Sequence, residues 1–419
     1  MDFIEKAIKK IEEGSISEGL GLLEQYKTSD DENLLFETAK TYAHFGFLDK
    51  AEEITSQLLQ RFPNDGELLV FSAECFIELG EDERAMERLD QVTQNDENYL
   101  SALLLLADLY QSQGLEEVAE RKLMEAYDYE PSEPVIWYGL AEFYLNQGNP
   151  YKANVFYEKV LNESEFIPDH SIYLHYAESL SLIGEFEKAL PLYEKGLESE
   201  INLDGLFRFG YTAFKAGEYK AAIQALEKLK SADKQYSTLY PLLAKAYEAV
   251  GATSEAKAVL EEGMLEDEHN EELYLELSQL ALKSGDPSSA EQNLKKIFQL
   301  NPGSFRASQM FISLLKRDER YDEMINHILH LKEIEETEPI FDWELAEAYE
   351  KNEEYEKAGK YYDASYPHFK NNSDFLEQYG RFLMEEGKTE EAKTCFVQAI
   401  KMDSSLTHLE ELVWEMENR

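Results

Sequence analysis

A residue small enough to let two helices cross returns about every 34 positions along this chain. It stands at Ala39, Ala73, Ala107, Ala141, Ala177, Gly210, Ala244, Ser278, Ala346 and Gly380, with Ile312 as the exception in the series. The intervals are 34 except for one of 36 and one of 33. Twelve residues after each comes a second small residue: Ala51, Ala85, Ala119, Ala153, Ala189, Ala222, Ala256, Ala290, Ala358 and Ala392, with Met324 again the exception. Between the two series lie Gly46, Gly80, Gly114, Gly148, Gly184, Gly217, Gly251, Gly285 and Gly387. The register describes two short amphipathic helices that meet at an elbow where glycine tolerates positive φ and cross where alanine admits a close backbone approach. One such hairpin leaves apolar surface bare, so successive hairpins stack and share a continuous core. The expected fold is an all-α, α-α superhelical solenoid of about twelve helical hairpins.

The residues inside the register carry a family resemblance. Trp137, Leu140, Ala141, Tyr144, Gly148, Ala153, Tyr157 and Val160 form one copy, and Leu103, Leu106, Ala107, Tyr110, Gly114, Ala119, Leu123, Ala126 and Pro131 form its neighbour. This pattern resembles the tetratricopeptide-repeat family, and it covers residues 32–404 as eleven units forming one solenoid. A degenerate repeat is expected at 1–31 around Ala7, Gly14 and Gly19. A capping helix is expected at 405–419, with Leu409, Leu412 and Val413 inward. Two places depart from the pattern and are candidate hinges. The link 162–170 carries two extra residues and Pro168, and the unit 305–338 has Ile312, Met324 and Glu319 where small residues and glycine belong, which should force its helices apart.

Charge narrows the partners. The chain has 419 residues, with 86 acidic against 40 basic side chains and a formal charge of -46. Such a balance repels nucleic acid and anionic membrane. A hydrophobic content of 43% with 12% aromatic residues nevertheless supports a folded core rather than disorder. The opening MDFIEKAIKKIEEG has helical spacing and acidic residues, unlike a secretory signal, and no stretch has the length of a membrane span. The expected location is the cytoplasm. Cys75 and Cys395 are too few and too far apart for a disulfide framework or a metal motif and fit as core residues.

No catalytic constellation stands out. There is no phosphate-binding glycine loop and no G-x-S-x-G elbow. His327 and His330 could share a helix face but lack a third ligand, and His170 and His175 are weaker candidates. Carboxylates are so numerous that their proximity says little about acid–base chemistry. The reading is of a protein that is not an enzyme, with no cofactor and no metal. Tyr42, Tyr110, Tyr144, Tyr247 and Tyr349 fall on packing positions.

The resemblance implies that the first helix of each hairpin lines a concave groove through positions 2, 5, 9, 12 and 13 of the repeat. From 66 to 203 these positions include Glu67, Glu74, Glu78, Asp108, Glu142 and Glu178, with Val70, Ile77, Leu104, Tyr138, Leu145 and Leu174 among them and no lysine or arginine. The next unit contributes Phe207, Tyr211 and Phe214. An acidic, partly apolar groove suits a basic or amphipathic protein segment. A secondary basic patch, Arg306, Lys316 and Arg317 with Arg320 beyond, could receive an acidic peptide, but pairing with carboxylates such as Glu347 and Glu350 is favoured. The plainest resemblance is to stand-alone cytoplasmic bacterial repeat proteins. The expected function is a non-enzymatic protein-protein interaction scaffold or adaptor, for instance in a regulatory or proteolytic complex. The alternatives are a chaperone-like holder of basic clients and an accessory subunit of an enzyme.

Overall fold

The computed structural model describes residues 2–27, 29–163, 171–198 and 201–417. Among the described residues there are 25 helices and no strand. They follow in chain order as twelve helix pairs and one closing helix, an all-α superhelical repeat fold. The chain divides into two compact units, Met1–Ala216 and Gly217–Arg419.

The N-terminal unit opens with α1 and α2 (Asp2–Glu12, Ile16–Glu24), α3 and α4 (Glu32–His44, Leu48–Arg61), and α5 and α6 (Gly66–Leu79, Asp82–Leu89). It continues with α7 and α8 (Tyr99–Ser112, Glu116–Tyr129) and α9 and α10 (Pro134–Asn146, Pro150–Glu163). It ends with α11 and α12 (Ser171–Leu182, Phe186–Gly196) and α13 (Leu203–Lys215). The C-terminal unit begins with α14 (Tyr219–Ala232), then α15 and α16 (Leu239–Ala249, Thr253–Glu266) and α17 and α18 (Glu271–Lys283, Pro287–Leu300). Next come α19 and α20 (Phe305–Arg317, Tyr321–Glu333) and α21 and α22 (Pro339–Lys351, Tyr355–Phe369). Last are α23 and α24 (Ser373–Glu385, Thr389–Met402) and the single helix α25 (Thr407–Glu417), which buries Leu409 and partly buries Leu412 and Val413.

The local rules behind the register are visible in one hairpin. Leu103, Leu106 and Ala107 turn one stripe of α7 inward, Ala119 and Leu123 answer from α8, and all five are buried. At the elbow Gly114 has φ 70°, and the Leu115 amide donates back to the Tyr110 carbonyl at 2.9 Å, closing the end of α7. No heavy atom lies within 4 Å of where a Cβ on Gly114 would sit, so the backbone angle, not space, selects glycine there. Gly380 has the opposite reason: a Cβ would meet the Phe396 ring at 2.5 Å. Between hairpins, Asp65, Asn270 and Asn372 each accept an amide hydrogen bond at the start of the next helix. Pro131 ends its repeat, and its carbonyl accepts the Trp137 indole Nε1–H at 2.8 Å.

The irregular unit keeps the outline by other means. Ile312 and Met324 are both buried, and the backbones of α19 and α20 approach one another more sparsely than those of the other hairpins within either unit. Glu319 and, one repeat later, Glu353 take the elbow with φ 55° and 60°, the left-handed conformation that glycine supplies elsewhere. Residues 164–170, which include most of the other candidate hinge and His170, lie outside the described residues.

Candidate functional site

Five first helices of the N-terminal unit carry the expected binding residues. α5 starts after Asp65 and buries Leu69, Ala73 and Phe76, which leaves Glu67, Glu74 and Glu78 on its exposed side. Asp108 is exposed on α7. Tyr138 and Glu142 on α9, Glu178 on α11, and Phe207 and Phe214 on α13 are half-buried, while Tyr211 is 44% exposed.

The acids separate into two groups. Glu67 is met by Lys40 Nζ at 3.1 Å. Oε1 of Glu142 accepts the Tyr157 hydroxyl at 2.5 Å and lies 2.8 Å from His175 Nδ1. Glu178 is ion-paired with Arg208. The groove positions from 66 to 203 hold no lysine or arginine, yet three of their acids are met from a neighbouring first helix: Glu67 by Lys40 one repeat earlier, and Glu142 and Glu178 by His175 and Arg208 one repeat later. Tyr138 brings its hydroxyl within 3.5 Å of Ser171 Oγ, and Lys215 lies over the Tyr211 ring at 5.4 Å.

Glu74, Glu78 and Asp108 form the second group. None has an ion pair or hydrogen bond among the described residues. Glu74 and Asp108 are open to solvent, yet the surrounding protein excludes enough water to raise both carboxyls above the ordinary range. The charge of Glu78 adds to the effect on Glu74. Buried Cys75, between Glu74 and Glu78 in the chain, has its thiol pushed up to about 12, mainly by burial and then by these carboxylates. It is a core residue, as is Cys395. Half-buried Ile77 and Leu104 and buried Val70 supply apolar surface on the same face.

The secondary basic patch in the C-terminal unit is engaged internally. Arg306 reaches Glu272 at 2.5 Å, and Lys316 reaches Glu347 and, at 3.5 Å, Glu344. Arg317 meets its neighbour Asp318 at 3.0 Å, and Arg320 makes a two-pronged contact with Glu291 at 2.7 and 3.0 Å. Arg320 and Lys295 hold the Glu291 carboxyl down to about 2. Glu350 takes a different partner from the one expected, accepting the Tyr362 hydroxyl at 2.6 Å.

The histidine pair separates. His327 packs against Phe298 and Phe311, with Nε2 3.2 Å from Ser308 Oγ, and burial lowers it to about 4. His330 is exposed and faces Glu333. Among the described residues no group of three or more metal-ligating side chains is assembled, and no helix is long and apolar enough to cross a membrane. Sequence reasoning passed over Gln279, Lys283, Gln309 and Ser313, which gather on α17 and α19. Their signal was present: Gln279 and Ser313 occupy the repeat position of Glu74, Asp108, Glu142 and Glu178, Lys283 that of Glu78, and Gln309 that of Val70 and Leu104.

Residues 339–404 match the family model of YpiA-like, C-terminal tetratricopeptide repeats, and residues 111–165 match that of YpiA-like, tetratricopeptide repeats. Residues 44–109 and 203–236 match general tetratricopeptide-repeat models. The TPR repeat-containing protein YpiA of Bacillus subtilis (strain 168) is 37% identical over 416 residues, covering 99% of this chain and 98% of the relative. Among solved structures, YrrB, titled a TPR protein with an unusual peptide-binding site, is 15% identical with a TM-score of 0.38, covering 44% of this chain and 95% of YrrB. A chain of the APC/C hetero-tetramer Cut9-Hcn1 is 12% identical with a TM-score of 0.39, covering 98% of this chain and 95% of that one. Both structures are too distant to bear on the site.

Proposed function

Because this chain belongs to the YpiA-like family of tetratricopeptide-repeat proteins, whose repeats generally mediate protein–protein interactions, we propose that it is a non-enzymatic scaffold that holds a basic, amphipathic segment of a partner protein. The segment lies on the first-helix face of the N-terminal unit. Its cations meet Glu74, Glu78 and Asp108, and its apolar side chains meet Ile77 and Leu104.

The observation that carries this reading is the contrast between the two groups of acids. Carboxylates already matched by Lys40, His175 and Arg208 gain little from a further cation. Glu74 and Asp108 are uncompensated and, though open to solvent, partly shielded from water by the protein around them, so an arriving lysine or arginine relieves that shielding cost as well as adding an attraction. Stacked hairpins hold the helices in place beforehand, so binding orders the ligand more than the receptor.

The test is capture of partners from an extract of the source cell by the full chain and by a variant combining Glu74→Lys, Glu78→Lys and Asp108→Lys, at low and moderate salt. The reading expects one or two proteins bound in fixed stoichiometry to the wild type, less so as salt rises, and lost from the variant. Equal capture by both forms defeats it.

A further inference from the structure

We infer that a cavity between α22, α23 and α24 in the C-terminal unit receives the guanidinium of an arginine side chain presented by a partner protein. The cavity has a volume of about 260 Å³. Its floor is buried Tyr379 and Leu383 from α23 and buried Cys395 from α24. Half-buried Tyr366 stands beside them on α22, and exposed Asp363 and Glu391 are at the rim.

Helical spacing separates this cavity from the first-helix face. Tyr379 and Leu383 are four apart and share one stripe of α23. Asp374, Glu377 and Arg381, at the groove positions of the same repeat, lie on the opposite side at ~100° per residue. Asp363 and Tyr366 are three apart on α22, and Glu391 and Cys395 are four apart on α24. Each of these two second helices therefore turns one acid and one further side chain toward the cavity.

The charge at the cavity is uncompensated. No lysine or arginine lines it. Oδ1 of Asp363 accepts the Tyr379 hydroxyl at 2.5 Å, which leaves the other oxygen open, and the Glu391 side chain has no ion pair or hydrogen bond among the described residues. Cys395 is 4% exposed, and its thiol lines the cavity without a partner among the described residues. Burial and then Glu391 push this thiol up to about 11, and burial, Asp363 and Glu391 all raise the Tyr379 hydroxyl. A cation held between the two carboxylates relieves that negative field.

Geometry and aromatic surface choose the cation. Asp363, Glu391 and Cys395 do not converge closely enough to hold one metal ion, so the guest is a larger, organic cation. The Tyr366 and Tyr379 rings have centroids 5.9 Å apart and planes inclined at 56°, and a flat guanidinium stacks on such rings more often than an ammonium does. Its five N–H donors reach two carboxylates at once, with the Cys395 sulfur as a weak further acceptor. Its methylene stem rests on Leu383. The volume is that of roughly nine waters at ~30 Å³ each, room for one side chain rather than a helix.

The inference does not depend on the acidic face of the N-terminal unit, and the experiment separates the two. Binding of Nα-acetylarginine amide, whose only charge is its guanidinium, is followed by saturation-transfer NMR with the full chain, at a salt concentration that screens the general charge of -46. The neutral citrulline analogue, the lysine analogue and spermidine are measured alongside. The arginine probe should bind saturably and weaken at least ~10-fold when Asp363→Asn is combined with Glu391→Gln. It should weaken several-fold in Tyr366→Leu. Combining Glu74→Gln with Asp108→Gln should leave it unchanged. Circular dichroism checks that every variant keeps its helical signal. The proposal fails if the citrulline analogue binds as well as the arginine probe, or if either the double carboxylate variant or Tyr366→Leu binds as the wild type does. Tighter binding of the lysine analogue would replace the guanidinium by an ammonium, and tighter binding of spermidine would make a free polyamine the occupant; either result overturns it.

Discussion

The hydroxyl of Tyr144 on α9 donates to Oε1 of Glu120 on α8 at 2.6 Å. Tyr42 meets Glu24 at 3.1 Å, Tyr247 meets Glu227 at 3.0 Å and Tyr362 meets Glu350 in the same way. A share of this chain's acidity therefore serves as acceptors for tyrosines packed between helices. The tyrosines are held in the neutral form, with burial and the adjoining carboxylate both pushing the pKa of the hydroxyl up.

Stability should fall on acidification with a slope set by the acids held low. Tyr42, Tyr144 and Tyr99 depress Glu24, Glu120 and Glu125 below the ordinary value, and Arg320 takes Glu291 to about 2. A depressed folded-state value contributes stability that is full above the ordinary 4.5 and is lost as pH falls through the folded value. Glu74 and Asp108 are raised and act in the opposite sense, favouring the fold on protonation. The melting temperature should drop between pH 4.5 and about 2, less steeply for Glu291→Gln, while Glu74→Gln should lose the stabilisation the wild type gains as pH falls toward 4.5, as thermal melts followed by circular dichroism will show.

Glu142 and Glu74 occupy the same position in different repeats but should respond differently to truncation. Glu142→Ala strands the fully buried Tyr157 side chain without an acceptor and releases His175, at a cost of ~1–3 kcal/mol. Glu74→Ala breaks no contact and should stay within ~0.5 kcal/mol of wild type. Urea denaturation midpoints of the two variants measure the difference.

At the elbows the exchange should run both ways. Glu319→Gly and Glu353→Gly relieve a left-handed residue costing ~1–2 kcal/mol, against a chain-entropy loss of ~0.5–1 kcal/mol, so each should stabilise by up to ~1.5 kcal/mol. Gly114→Ala should cost ~1 kcal/mol from its backbone angle alone, with no clash to add. Gly380→Ala should cost more, ~1–3 kcal/mol, because its Cβ runs into the buried Phe396 ring, a penalty larger than alanine's helix preference. Chemical denaturation of the four variants ranks them.

The hairpins were legible because each depends on local periodicity: alanine at a crossing, glycine at an elbow, and leucines three and four apart. Ile312 and Met324 marked the widened hairpin for the same reason. Which acids stand uncompensated was not legible, because compensation comes from a different helix. Arg208 lies 30 positions beyond Glu178 and Lys40 lies 27 before Glu67, offsets that acquire meaning only when neighbouring first helices are laid side by side. Nor could sequence alone distinguish Tyr211, open on α13, from Tyr138, half-buried on α9.

The central claim is that Glu74, Glu78 and Asp108 receive a cationic protein segment. Its most direct measurement is the affinity of a fluorescein-labelled amphipathic helical peptide carrying lysines along one face, for the wild type and for the chain combining Glu74→Gln, Glu78→Gln and Asp108→Gln. These substitutions remove charge while keeping shape. The account predicts saturable binding that weakens with salt and falls at least ~10-fold in the glutamine variant, equivalent to ~1.4 kcal/mol. Equal affinity in the two proteins would contradict it and leave the three carboxylates with no part in recognition.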